Sequence, residues 1–193
     1  MKLFDACSRT NSFGSMKRKS LDLSVRALAA SAGFQFGDLQ AELYRLRDKL
    51  GPDQKRGYDE CIRAMARGGA ISEREQHALL ELGKRGYAVA SDSDFEKFVR
   101  HTAALHKRFL ADRNGSPVAL AMVGAIANYA VPPLTTGGRR GRVMARSQHP
   151  VRDILLGVAG GAFGGLQMSG WNPIGGVVGG VVGGIIAGVK ALC

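Results

Sequence analysis

Between Ile154 and Val189 the chain runs for 36 residues without a charged side chain, and thirteen of its 27 glycines fall inside that run. No other feature limits the possible folds as much. Gly157, Gly161 and Gly165 recur at intervals of four, with Gly160 and Gly164 beside them. After Trp171-Asn172-Pro173 a second row holds Gly176, Gly180, Gly184 and Gly188, and Gly175, Gly179 and Gly183 run parallel to it. Residues four apart share a helix face. Between the glycines lie Val177-Val178, Val181-Val182 and Ile185-Ile186, so each helix of this segment would have a flat glycine face and an opposite ridge of β-branched and other apolar side chains.

In water a glycine inside a helix costs about 1 kcal/mol relative to alanine, so helices of this composition do not persist alone. In hydrocarbon every backbone polar group must be satisfied internally, which enforces helix. Rows of small residues then let two backbones approach, a principal source of helix association in lipid. One helix over the whole run would reach ~54 Å, too long for a ~30 Å hydrocarbon core, whereas two of about sixteen residues reach ~24 Å each. The spacing predicts a glycine-zipper helical hairpin over 154–193 that inserts in a lipid bilayer. Trp171, Asn172 and Pro173 form its turn, with the amphipathic indole at the tip or the interface.

The charges divide along the same line. All sixteen acidic residues lie at or before Asp153, and the formal net charge is +11. Residues 1–115 mix 21 basic with 15 acidic side chains, as on a solvated surface. Beyond them only Asp153 offsets five arginines and Lys190. Arg139, Arg140, Arg142 and Arg146 fall in an Arg/Gly-rich loop over 135–153, placed to meet anionic lipid beside the apolar segments. A basic excess suits nucleic acid equally well, but no nucleic-acid recognition motif accompanies it. Nucleic acid is therefore not an expected partner.

The first half has the patterning of a small all-α domain. Residues 1–19 are polar and basic, without the apolar stretch of a secretory signal, so a cytoplasmic species before export is expected. Over 20–115 apolar stripes of period 3.6 alternate with caps and stops. They comprise Leu21/Val25/Leu28/Ala29/Ala32 before Gly33, Leu39/Leu43/Leu46/Leu50 before Gly51, and Tyr58/Cys61/Ile62/Met65 after Pro52. Ser72 with Glu75, and Ser93 with Glu96, match the capping box. The second box opens the longest stripe, Phe95, Phe98, Val99, Thr102, Leu105 and Phe109. Ser116-Pro117 restarts the chain into an apolar helix within 116–134, either buried in the helical domain or lying short and tilted in a membrane.

Catalysis finds no foothold. Three scattered cysteines form neither a disulfide framework nor a zinc site. His101 and His106 are five apart, on different helix faces. Phosphate-binding glycine loops, Gly-x-Ser-x-Gly and His-Glu-x-x-His are lacking. Paired acids such as Glu73/Glu75 and Asp92/Asp94 belong to helix starts, where the macrodipole favours negative charge. The expectation is a non-enzyme without cofactor or metal.

A small basic chain with a helical first half and the rows Gly157/Gly161/Gly165 and Gly176/Gly180/Gly184/Gly188 resembles the glycine-zipper pore-forming effectors of bacterial type VI secretion. The specific likeness covers about the last forty residues and is to the small pseudomonad type carried inside the hemolysin-coregulated protein ring. The resemblance implies an antibacterial toxin that oligomerises in a competitor's inner membrane, conducts cations and dissipates the membrane potential. It also implies a cognate inner-membrane immunity protein in the producer. A second reading is a structural envelope protein, its hairpin anchoring a helical interaction domain.

Overall fold

The computed structural model describes residues 53–130 and 150–192, together with 26–27, 29–33, 35, 37–42 and 45. Every regular element among them is helical. The long helices are α1 (Gln54–Arg67), α2 (Glu73–Tyr87), α3 (Asp92–Ala111), α4 (Pro117–Ala130), α5 (Pro150–Met168) and α6 (Pro173–Leu192). Shorter helical stretches lie at 29–31 and 37–42. The all-α expectation holds. Pro52 and Leu43, Leu46 and Leu50 lie outside the described residues.

Local chemistry sets the helix starts. The Asp53 carboxylate accepts from the Arg56 amide at 3.1 Å and caps α1. Ser72 and Glu75 form the predicted capping box on α2. α3 begins two residues earlier than the Ser93/Glu96 pattern suggests. Ser91 is its cap, accepting from the Asp94 amide at 3.2 Å and donating to the Asp94 carboxylate at 2.7 Å. Both serines precede an acid by three, and the earlier pair adds turn to the helix. Ser116 caps α4 through the Val118 amide at 3.1 Å, and Pro117 takes the first helical position, where its missing N–H costs nothing.

Glu75 goes further than a cap. One of its oxygens accepts from the Ser72 amide at 2.7 Å and the Ser72 hydroxyl at 2.8 Å. The other accepts from the Ser116 amide at 2.6 Å, 41 residues away. The Ser116 hydroxyl in turn donates to the Ala70 carbonyl at 2.6 Å. One buried carboxylate thus pins the starts of α2 and α4 together.

These contacts orient the bundle. At one end meet the C-termini of α1, α3 and α5 and the N-termini of α2, α4 and α6. Ser116–Glu75, Arg74–Asp112 and the Trp171 ring over Gly68 mark this end. At the other end Gln54 meets Asp153 and Tyr87 meets Arg152. A single apolar cluster runs through all six helices, including Tyr58, Leu82, Phe98, Met122, Leu155 and Leu166. α4 is part of it, with Val118, Met122, Val123 and Ile126 fully buried. Two α2 glycines make room for neighbours: the Tyr58 ring lies on Gly83, and Leu155 and Phe98 lie on Gly86. Burial pushes the Cys61 thiol in this core up to about 12.

Replacing Glu75 with alanine leaves the Ser72 and Ser116 amides without their acceptor in a part-buried site. The expected loss is about 2–4 kcal/mol of unfolding free energy, read from urea denaturation. A loss no larger than that from an exposed Glu73→Ala control would contradict the clamp.

Candidate functional site

The last two helices form the interior of the molecule. α5 starts at Pro150, four residues before the uncharged run, because Val151 and Ile154 are buried in the core. Its first turn is tied down by polar contacts that spacing did not reveal. Gln54 donates to the Asp153 carboxylate at 3.1 Å, and the Arg152 guanidinium donates to the Tyr87 carbonyl at 3.1 Å. The Tyr87 hydroxyl lies within hydrogen-bond reach of the Gln54 and Arg152 carbonyls, at 3.1 and 3.3 Å. Burial holds the Tyr87 and Tyr58 phenols well above their ordinary value, so both stay neutral donors. Tyr58 uses its proton on the Leu79 carbonyl at 2.8 Å.

α5 ends in a Schellman motif. Gly170, at φ 65°, donates to the Gln167 carbonyl, and the Trp171 amide donates to that of Leu166 at 2.6 Å. Trp171 is itself left-handed, at φ 66°. The Asn172 side chain then accepts from the Ile174 amide at 3.0 Å, and Pro173 opens α6. The predicted turn residues thus end one helix and start the next.

The two helices run antiparallel with their backbones in contact. A Cβ at Gly161 would fall on the Gly179 carbonyl oxygen, and a Cβ at Gly179 on that of Gly161. The same reciprocity joins Gly157 with Gly183 and Gly165 with Gly175. Each glycine therefore aims a Cα–H at a carbonyl across the seam, a weak hydrogen bond of about 0.5–1 kcal/mol. The row of α6 that meets α5 is Gly175/Gly179/Gly183.

The row Gly176/Gly180/Gly184 lies to one side of the seam. A Cβ at Gly176 would come within 3.0 Å of Val118 on α4 and 2.8 Å of Leu166. One at Gly180 would sit 3.4 Å from the Ala162 Cβ and 3.7 Å from Met122. Gly184 is buried, and Gly188 belongs to α6. Spacing alone does not distinguish two parallel rows one residue apart; the position of α4 does. On the outer side Val178, Val182, Ile185 and Ile186 cluster with Ala29 and Leu39. Leu39 also reaches α5, where a Cβ at Gly164 would lie 3.1 Å from it.

Arg139, Arg140, Arg142 and Arg146 lie outside the described residues. Among the described residues no helix is long and apolar enough to cross a membrane. No group of three His, Cys, Asp or Glu side chains among them could hold a metal ion. His106 packs beside Gly124 of α4, and burial, then Arg85, keeps His101 below the ordinary imidazole value. Comparison with protein-family models, curated proteins and solved structures finds no match to this chain.

The seam and the side row give adjacent glycines opposite tolerances. Gly179→Ala forces the backbones apart and is expected to cost about 1–3 kcal/mol, as overpacking does. Gly180→Ala meets only ordinary contacts and is expected to be neutral or to stabilise by up to about 1 kcal/mol through helix propensity. Thermal unfolding of the two variants checks this. Equal melting temperatures would contradict the assignment of the seam.

Proposed function

We propose that this chain is a pore-forming antibacterial toxin whose glycine-zipper hairpin, α5 and α6, enters the inner membrane of a target cell. The observation that carries this reading is the reciprocal glycine seam. Its contacts are between backbones, so they need no water to drive them and persist in hydrocarbon, where small-residue interfaces hold helices together. The outer ridges of the pair, now packed against α4, α1, α2, Ala29 and Leu39, would face lipid tails instead. Because the seam joins their backbones directly, the two helices insert as a pair, not as independent spans.

The side row extends the mechanism. Once α4 leaves, Gly176, Gly180 and Gly184 form a second flat face, available to a neighbouring copy. One row closes the hairpin and the other builds the oligomer around a cation-conducting path that dissipates the membrane potential. α1–α4 serve as the cover that keeps the hairpin folded before delivery and as the body a carrier ring would hold. A carrier of the hemolysin-coregulated type and a cognate immunity protein in the producer's inner membrane belong to the same proposal, on the resemblance to type VI effectors.

The reading is tested with a voltage-sensitive dye in bacteria expressing the chain with and without a periplasmic export signal. Rapid depolarisation from the periplasmic side is expected, and its loss when Gly176, Gly180 and Gly184 are all replaced by leucine. A stable potential with the protein firmly membrane-bound would overturn it in favour of an anchor.

A further inference from the structure

Three large apolar side chains stand out of the surface among the described residues: Leu110, 66% exposed, Ile174, 59%, and Trp171, 41%. All three lie at the same end of the bundle. Leu110 is in the last turn of α3, Ile174 in the first turn of α6, and Trp171 in the turn between α5 and α6. Pro173 is exposed beside them. Scattered apolar residues on a surface need no explanation, but their confinement to one end does.

Trp171 is held there by the structure. Its backbone is left-handed, at φ 66°, a conformation that a side chain's Cβ disfavours. Its ring covers Gly68, where no Cβ would fit, and meets Phe163 edge-on at 6.2 Å. The indole is thus fixed with part of its surface in solvent. Strained residues held by their surroundings concentrate at functional positions.

The charge at this end has one dominant sign. Arg63 and Arg67, four apart on the last turns of α1, are exposed and lead directly to the glycine under the indole. Of the nearby carboxylates, Glu75 is buried and taken up by the Ser72 and Ser116 donors, and Asp112 pairs with Arg74 at 3.5 Å. Glu73 alone among these stays exposed without a partner. The opposite end mixes the exposed acids Asp53, Asp92 and Glu96 with exposed Lys55, Arg56, Lys84 and Lys97, so it has no dominant sign.

We propose that the end bearing Trp171, Ile174 and Leu110 is the face with which the folded protein docks on an anionic bilayer, Arg63 and Arg67 meeting lipid phosphate while the apolar side chains enter the headgroup region. Cations beside an exposed indole and aliphatic side chains match that interface. A phosphate backbone in water has no use for Ile174, Pro173 and Leu110. This docking rests on the membrane-active reading above and adds its first contact surface: the turn of the hairpin arrives first.

Trp171 is the sole tryptophan, so its fluorescence reports this surface directly. The full chain is mixed with vesicles of equal parts phosphatidylcholine and phosphatidylglycerol, or of phosphatidylcholine alone. Expected with the anionic vesicles are a blue shift, protection from acrylamide, and reversal by high salt. Arg63→Gln with Arg67→Gln should weaken partitioning roughly 30-fold, with an unchanged circular dichroism spectrum. Ile174→Ser should weaken it without touching charge. Binding without a tryptophan shift, or equal binding to neutral vesicles, would overturn the proposal. So would a shift that depends on protein concentration without vesicles, which marks a second copy, or an equal shift with duplex DNA. Dye release from the same vesicles separates the two ideas. Release without a tryptophan shift overturns docking and spares the pore; a salt-sensitive shift without release supports docking and removes the pore.

Discussion

The fold turns on the contact between α5 and α6, where three pairs of glycines, 157 with 183, 161 with 179 and 165 with 175, set backbone against backbone. No side chain fits in that seam, so nothing but glycine fulfils the role. The close approach makes the pair thin. That thinness lets α1, α2 and α4 pack on it and share one core with its outer side chains. The polar ties at the start of α5 and the Schellman turn at its end fix the pair in register with the rest.

The energetics explain why such a pair needs a cover in water. Six glycines inside helices cost about 6 kcal/mol relative to alanine. Six Cα–H contacts across the seam return about 3–6 kcal/mol. The seam therefore roughly offsets the penalty of its own six glycines, and the six others in α5 and α6 add to the cost. Stability in water comes from the other faces: Leu155, Val158 and Leu166 of α5 in the main core, and Val178, Val182 and Ile185 of α6 against Ala29 and Leu39. In lipid those same faces would find apolar partners without the body, while the seam would be unchanged. A helix pair with this division of contacts exchanges one apolar surrounding for another without repacking its own interface. The proposed toxin mechanism follows from that division.

Much of the architecture was legible in the chain. Stripes of period 3.6 marked α1 and α3, Ser72/Glu75 and Ser116-Pro117 marked two starts, and Trp171-Asn172-Pro173 marked the turn. What escaped depends on partners distant in sequence. Ser91 and Ser93 both satisfy the local capping rule, and the choice lies in how far α3 extends. The second oxygen of Glu75 has its partner at Ser116, and no local pattern announces that. Pro150–Asp153 reads as loop until Val151 is seen against Gly86 and Arg152 against Tyr87. The two glycine rows of α6 are equivalent by spacing; Val118 and Met122 distinguish them, because they make one row the neighbour of α4.

On the proposed mechanism, α6 must separate from α4 for the protein to act on a membrane. Gly180 and Met122 face each other across that contact, the Gly180 Cβ position lying 3.7 Å from the Met122 side chain. Cysteines at both positions, with Cys7, Cys61 and Cys193 replaced by alanine, would form a disulfide that holds the two helices together. The measurement is potassium-gradient dissipation in anionic vesicles by the oxidised protein, before and after adding a reductant. The oxidised protein should leave the gradient intact, and reduction should restore dissipation. Equal dissipation by the oxidised and reduced forms, with the disulfide confirmed intact, would contradict it.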